Sequence, residues 1–237
     1  VNIARKYSVP VFVLSDQAIA PRIEAFNEPD LKTICKDVEL DLSPVSSPKP
    51  YDLSSGDGLS RHRAPGTRVE DGRYPVVTGL EHDESGHPSG DAANHIAMTK
   101  KRRNKLKTLA DELPAPEVYG AESGDVLLVG WGSTKGPLLE AVEELGKNGD
   151  ALSALHIKHI NPLPNGLDAI FSRFNSVYVV EMNDGGVYGY GQLAGVLRAR
   201  FADARIKGIN KTAARRWKVS EIIELVKARL EEEAATA

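Results

Sequence analysis

The run from Thr78 to Ser89, Thr-Gly-Leu-Glu-His-Asp-Glu-Ser-Gly-His-Pro-Ser, concentrates the side chains of this chain that can do chemistry. Glu81, Asp83 and Glu84 supply acceptors, His82 and His87 donate or accept, and Thr78, Ser85 and Ser89 carry hydroxyls. So little of it is apolar that it reads as loop or site and not as core. Arg61, Arg63, Arg68 and Arg73 lie just upstream. Three uses compete. A polar active-site loop would offer hydrogen-bond donors to a substrate carboxylate from Thr78 and His82, with Arg61, Arg63, Arg68 and Arg73 close in sequence to add charge-assisted hydrogen bonds. A metal centre would draw on Glu81, His82, Asp83, Glu84, His87 and His95, but adjacent residues rarely converge on one ion and the helical His-Glu-x-x-His spacing is missing. An acidic turn that touches nothing is the plain alternative. The polar loop is the leading reading.

A second candidate is Gly130-Trp-Gly-Ser-Thr-Lys-Gly136, placed between a predicted strand and a predicted helix. There Gly130, Gly132, Ser133 and Thr134 are candidate cofactor-binding residues, since a helix start offers unpaired N–H groups to a phosphate. The third glycine falls one position late for the dinucleotide fingerprint, and no acid follows the next strand, so a structural tight turn is the plainer use. Glu181-Met-Asn183 at a strand end, leading into Gly191-Gln-Leu193, fits a ligand site of an open α/β sheet and a simple helix cap equally well. Gly56-Asp57-Gly58 reads as a turn, because no strand precedes it and no paired asparagines follow. No Gly-x-Ser-x-Gly elbow or Ser-His-Asp set is recognisable.

The elements that must position these residues follow from periodicity. From residue 124 onward, strands over 125–129, 154–160, 176–181 and 204–209 alternate with helices over 137–147, 166–174, 190–201 and 219–232, with Gly149 past the end of the first. Strands separated by helices require parallel crossovers, hence an α/β fold with an open, mainly parallel sheet covered on both faces. Upstream, Val9 to Leu14 is a β-branched apolar run expected to be a buried strand. Residues 27 to 73 lack any sustained period and read as a long connection. His95 to Leu113 reads as a surface helix whose basic run, Lys100 to Lys107, forms a solvated face.

Composition bounds the function. The chain has 237 residues, 41% hydrophobic and 27% charged, which is ordinary for a globular protein. A net charge of -3 lacks the basic bias of a nucleic-acid binder. Cys35 is the only cysteine, so the chain by itself builds neither a disulfide nor an iron–sulfur cluster, and a cytoplasmic location is expected. No apolar run approaches the roughly 20 residues that cross a bilayer. The chain starts at Val1, shortly before an expected strand, so it is expected to be part of a longer protein.

In order along the chain, Ala4 to Asp16, Pro65-Gly66, Thr78 to Gly86, His95, Lys100-Lys-Arg102, Gly130 to Thr134, His156, Pro162-Leu-Pro164, Glu181-Met-Asn183 and Gly191-Gln-Leu193 resemble the alpha subunit of 2-oxoacid:ferredoxin oxidoreductases, especially the 2-oxoglutarate type. The resemblance covers nearly the whole chain. It implies the carboxyl-terminal part of such a subunit, because the family's early Tyr-Pro-Ile-Thr-Pro type motif has no counterpart. Residues 1–26 would end a thiamine-pyrimidine domain, 27–120 would be an interdomain segment, and 121–237 a domain similar to the transketolase C-terminal domain. The family pairs its alpha chain with a beta subunit that holds thiamine diphosphate, Mg and an iron–sulfur cluster, and together they convert a 2-oxoacid and coenzyme A to acyl-CoA while reducing ferredoxin. Carried over on this resemblance are Thr78, Glu81 and His82, with Arg61 or Arg63 for the carboxylate. Another thiamine enzyme of the transketolase or 1-deoxyxylulose-phosphate synthase kind, or a non-catalytic α/β interaction domain, is the alternative.

Overall fold

The computed structural model describes all residues except 38, 43–48, 71, 73–75, 148–151 and 237. The chain divides into two units, one of residues 1–12 and 25–112, the other of residues 13–24 and 113–237.

The first unit is mostly irregular. It holds two short helices, α1 (Asn2–Tyr7) and α2 (Leu31–Ile34), and one long one, α3 (Ala92–Glu112). Between α2 and α3 the described backbone forms no strand, only isolated bridges pairing Leu40 with His62 and His82 with Pro88. Its carbonyls therefore need donors from elsewhere. Helix α3 supplies them from one face. Asn94 Nδ2 donates to His82 O at 2.9 Å, Lys105 Nζ to Ser8 O at 3.3 Å, and Thr108 Oγ1 to Asp57 O at 2.8 Å. Lys101 does most: its ammonium donates to the carbonyls of Asp52, Gly58 and Leu59 at 2.7, 3.0 and 3.3 Å. Only 7% of Lys101 is exposed, and burial pushes its pKa below the usual lysine value.

The basic run of α3 is thus a solvated face only in part: Lys100, Arg102, Arg103 and Lys107 are exposed, whereas Lys101 and Lys105 turn inward. Exposed Arg102 pairs with Glu81, and Lys101 and Lys105 point at backbone carbonyls. The reason is positional: Met98, Lys101, Lys105 and Leu109 recur at helical spacing and share one face, so lysines that neighbour apolar residues in space are drawn inward with them.

A second expectation also fails. Val9 to Leu14 forms no strand; Phe12, Val13 and Leu14 are 82%, 90% and 66% exposed. A strand exists only through a ladder partner, and none of the described residues pairs with this run.

The second unit carries the sheet. Strands β1 (Val118–Tyr119), β2 (Gly124–Trp131), β3 (Leu152–Ile157), β4 (Phe174–Glu181) and β5 (Ile206–Asn210) lie in the order β1-β3-β2-β4-β5. All neighbours are parallel except the short β1, which runs antiparallel to β3. Side-chain alternation sends Leu127, Val129, Val177 and Val179 to one face and Val126, Leu128, Tyr178 and Val180 to the other. Helices α5 (Leu167–Phe171) and α6 (Gln192–Phe201) cover the first face through Phe171, Leu193 and Leu197. Helices α4 (Lys135–Lys147) and α7 (Val219–Thr236) cover the second through Leu138, Ala141, Ile222 and Val226. The α/β architecture with helices on both faces is as expected, and each sequence-predicted strand and helix after residue 124 is present within a few residues of its reading. Gly149, the expected stop of α4, lies outside the described residues. Among the described residues no helix is long and apolar enough to cross a membrane.

Replacing Lys101 with Met would keep the stem and remove three donors at once. A buried acceptor left without its partner costs about 1–3 kcal/mol, so Lys101→Met should lower the unfolding free energy of the first unit by about 2–3 kcal/mol, with Lys101→Arg milder. Denaturant unfolding read on the two variants checks this; a loss below about 0.5 kcal/mol, the range of an ordinary surface change, would mean that the carbonyls are served otherwise.

Candidate functional site

The loop of the first unit is a compact hairpin. Asp83 N donates to His87 O at 2.9 Å, Gly86 N to Asp83 O at 3.1 Å and Ser89 N to Glu81 O at 2.9 Å. Gly86 sits at φ 89°, and a Cβ there would overlap the Val76 carbonyl, so only glycine lets the turn close against that strand of chain. The acids that make the run look reactive are each committed within the protein. Glu81 takes a forked contact from Arg102, at 3.2 and 2.8 Å, and lies 2.5 Å from His95 Nδ1. Arg102 first, then His95 and the His82 N–H, hold the Glu81 carboxyl down at about 2 against the ordinary 4.5. Asp83 Oδ1 accepts from Ser85 N and His87 N, at 2.9 and 3.0 Å. Glu84 Oε1 accepts from Leu53 N at 2.9 Å, and its Oε2 lies 3.4 Å from Lys49 Nζ. Among the described residues no group of three or more His, Cys, Asp or Glu could hold a metal ion.

The other loop residues keep functional atoms available. Thr78 Oγ1 accepts from Leu80 N at 3.2 Å, which leaves its own hydrogen to donate. His82 stacks on Tyr51 with ring centroids 3.8 Å apart. Its Nδ1 lies 2.9 Å from Asp83 O. Arg61 and Arg63 converge on Asp41 Oδ2, at 3.2 and 3.0 Å. The side chain of Arg61 is 81% exposed and that of Arg63 26%, so Arg61 is the freer guanidinium for an incoming anion. Arg73 lies outside the described residues.

In the second unit, the chain reverses direction across the sheet between β2 and β4, the neighbours whose carboxyl ends flank the crevice where open α/β sheets take ligands. Here that place is filled by the protein itself. Glu181, fully buried, accepts from Trp131 Nε1 at 3.3 Å, Asn183 Nδ2 at 2.8 Å, Leu193 N at 2.8 Å and Ala194 N at 2.9 Å. It therefore joins β2 to β4 and serves the free N–H groups at the start of α6. Asn210 at the end of β5 extends the network through Asn183 Oδ1.

The glycine turn is likewise occupied. A Cβ on Gly130 would overlap Leu138 Cδ1 and Thr134 Oγ1, so this glycine lets α4 close on the sheet. Thr134 Oγ1 donates to Trp131 O at 2.8 Å, and Ser133 N, the donor a phosphate would want, donates to Asp16 Oδ2 at 3.2 Å. Gly132 has φ 59°, and its carbonyl accepts from His156 Nε2 at 3.0 Å. Burial lowers the pKa of His156, which suits a neutral ring serving that carbonyl. Asp16 stands 117 residues from Ser133 in sequence, so no local signal announces the pairing. Past Glu181, residues Asp184 to Gly191 border a hollow of about 410 Å³, with Val187 and Tyr188 exposed at its rim.

No protein-family model matches the chain. It is similar to 2-oxoacid:ferredoxin oxidoreductase 1, subunit alpha, of Aeropyrum pernix, 32% identical over 188 residues that cover 77% of this chain and 29% of that protein. It is also similar to 2-oxoglutarate oxidoreductase subunit KorA of Mycobacterium tuberculosis, 29% identical over 97% of this chain and 34% of that protein. Among solved structures, the 2-oxoglutarate:ferredoxin oxidoreductase from Magnetococcus marinus with 2-oxoglutarate, coenzyme A and succinyl-CoA bound aligns at a TM-score of 0.66 and 32% identity, over 75% of this chain and 30% of that one. The chain thus spans about a third of the length of these relatives.

Two outcomes follow from the geometry. The depressed Glu81 carboxyl gives stability that is fully present above pH 4.5 and is lost as the pH falls toward 2, so the hairpin should open in that window. Amide exchange at Ser89, whose N–H donates to Glu81 O, reads the opening, and Glu81→Gln should flatten its dependence on pH. In the second unit, Glu181→Gln exchanges one acceptor oxygen for a donor facing N–H groups, and should cost about 1.5–3 kcal/mol. Thermal unfolding of that variant within 1 °C of the parent would contradict the cap.

Proposed function

We propose that this chain, a relative of the alpha subunits of 2-oxoacid:ferredoxin oxidoreductases, contributes a substrate-facing loop and an α/β domain to the oxidative decarboxylation of a 2-oxoacid, 2-oxoglutarate by choice, to its acyl-CoA with reduction of ferredoxin. The observation that carries the reading is the Thr78–Ser89 hairpin. It is a rigid polar loop whose carboxylates are neutralised from within, so an anionic substrate meets donors there instead of bare negative charge. Support comes from the relatives, whose names specify 2-oxoacids, and from the Magnetococcus protein, which holds 2-oxoglutarate and coenzyme A.

In this reading Thr78 donates its hydroxyl hydrogen to the substrate carboxylate. Arg61, with Arg63 beside it on Asp41, brings the compensating positive charge. Glu81 acts through Arg102 and His95 to hold the loop in shape, and His82 borders the same face. Residues 1–26 belong with a pyrimidine-binding domain, 27–120 with the segment that carries the loop, and 121–237 with the second domain. We assign the Gly130–Thr134 turn to helix positioning, because a cofactor phosphate would have to displace the Asp16 carboxylate.

Activity on this proposal requires a beta subunit that brings thiamine diphosphate, Mg and the iron–sulfur cluster. The described residues of this chain do not fit the Mg or the cluster: they make no metal-ligand set, and Cys35 is a single exposed thiol. What this chain does is bind, orient and neutralise charge.

The test is reconstitution of the complete alpha chain with its beta subunit, following ferredoxin reduction that depends on both 2-oxoacid and coenzyme A. Thr78→Ala should lower kcat/KM about ten- to a hundredfold, the loss of a hydrogen bond to a charged group of about 1.5–3 kcal/mol, at an unchanged melting temperature. Kinetics within twofold of the parent would take this loop out of the active site.

A further inference from the structure

His82 is held on every side but one. Its N–H donates to Glu81 Oε1 at 3.3 Å, its carbonyl accepts from Asn94 Nδ2 at 2.9 Å, and its backbone bridges to Pro88. One ring face lies on Tyr51, and Nδ1 sits 2.9 Å from the Asp83 carbonyl oxygen. A carbonyl oxygen only accepts, so the hydrogen of this contact is on Nδ1. In the neutral ring the lone pair is then on Nε2. No hydrogen bond among the described residues reaches Nε2, and it is not one of the buried atoms left without a partner, so it opens to solvent.

A donor role for His82, expected from its residue type, is thereby reversed. We infer that His82 is a specificity-determining acceptor: its Nε2 takes a ligand group that presents an O–H, N–H or S–H hydrogen, and its lone pair turns away a carboxylate oxygen. This deepens the active-site reading of the loop and rests on it for the identity of the ligand. The division of labour is chemical. Thr78 and Arg61 offer hydrogens to the 2-oxoacid anion, which at neutral pH carries no O–H, N–H or S–H of its own, whereas Nε2 suits the thiol of the second substrate, coenzyme A. The carboxylates that flank His82 in sequence, Glu81 and Asp83, are both engaged, by Arg102 and by the hairpin amides.

The experiment has two arms. In the first, ring nitrogen resonances of ¹⁵N-histidine-labelled full chain are recorded at neutral pH, with His82→Asn identifying the His82 signals. The protonated nitrogen is expected to be the one that couples strongly to the Cε1 proton and only weakly to the Cδ2 proton, which is Nδ1; protonation at Nε2, alone or together with Nδ1, would overturn the inference. In the second, His82→Asn and His82→Gln are compared in the reconstituted complex. Asn keeps a donor near the position of Nδ1 and loses the acceptor, so it should retain the melting temperature while kcat/KM falls at least tenfold. Gln, whose amide oxygen reaches the place of Nε2, should recover part of the loss. Parent-like kinetics for both variants while Thr78→Ala is impaired would sink the acceptor role and spare the active-site loop; parent-like kinetics for all three would sink both.

Discussion

The first unit depends on one requirement, that backbone carbonyls with no ladder must still find donors, and on the ammonium of Lys101 that meets most of it. Leaving a buried acceptor unpaired costs more than a typical hydrogen bond contributes, so an irregular stretch folds only where donors are brought to it. Helix α3 brings them as side chains. Lys101 gathers Asp52, Gly58 and Leu59, Thr108 holds Asp57, Asn94 holds the carbonyl of His82, and Lys105 reaches Ser8. Everything that makes the hairpin a candidate site hangs on this helix, because Arg102 and His95, which fasten Glu81, rise from it too.

The second unit meets the same requirement in the opposite way. Its carbonyls are paired in a parallel ladder, and the remaining polar needs are concentrated at the carboxyl ends of β2 and β4. There Glu181 supplies an internal anion to α6, and Asp16 supplies another to the turn before α4. Both places would attract a ligand anion in a related sheet, and in this chain both are taken by carboxylates of the protein. A fold that so often hosts a cofactor here uses its switch point for stability.

That contrast shapes the functional proposal. In the first unit Thr78 and Arg61 keep donors open, while the loop's carboxylates are turned inward to Arg102, Lys49 and backbone amides. The alpha subunits to which the chain is similar are named for 2-oxoacids, which are anions at neutral pH.

Much of the second unit was legible in the sequence. Alternating β-branched strands and amphipathic helices after residue 124 carry their own period, and burial on two sheet faces leaves that period one solution, so strand order aside, the architecture follows from local pattern. The Thr78–Ser89 run also announced itself, since so many polar groups in sequence cannot pack as core. What each of those groups does was decided only by the tertiary structure. Asp16 meets Ser133 across 117 residues, Lys101 turns inward though its neighbours are charged, and the Asp83 carbonyl that faces Nδ1 of His82 sets which ring nitrogen carries the hydrogen. Val9 to Leu14, with strand composition and no ladder partner, shows the same limit from the other side. Periodicity is a local property and survives in sequence, whereas the partner of a polar atom is set by chain segments far apart, and it is the partner that fixes whether a side chain donates, accepts or is silenced.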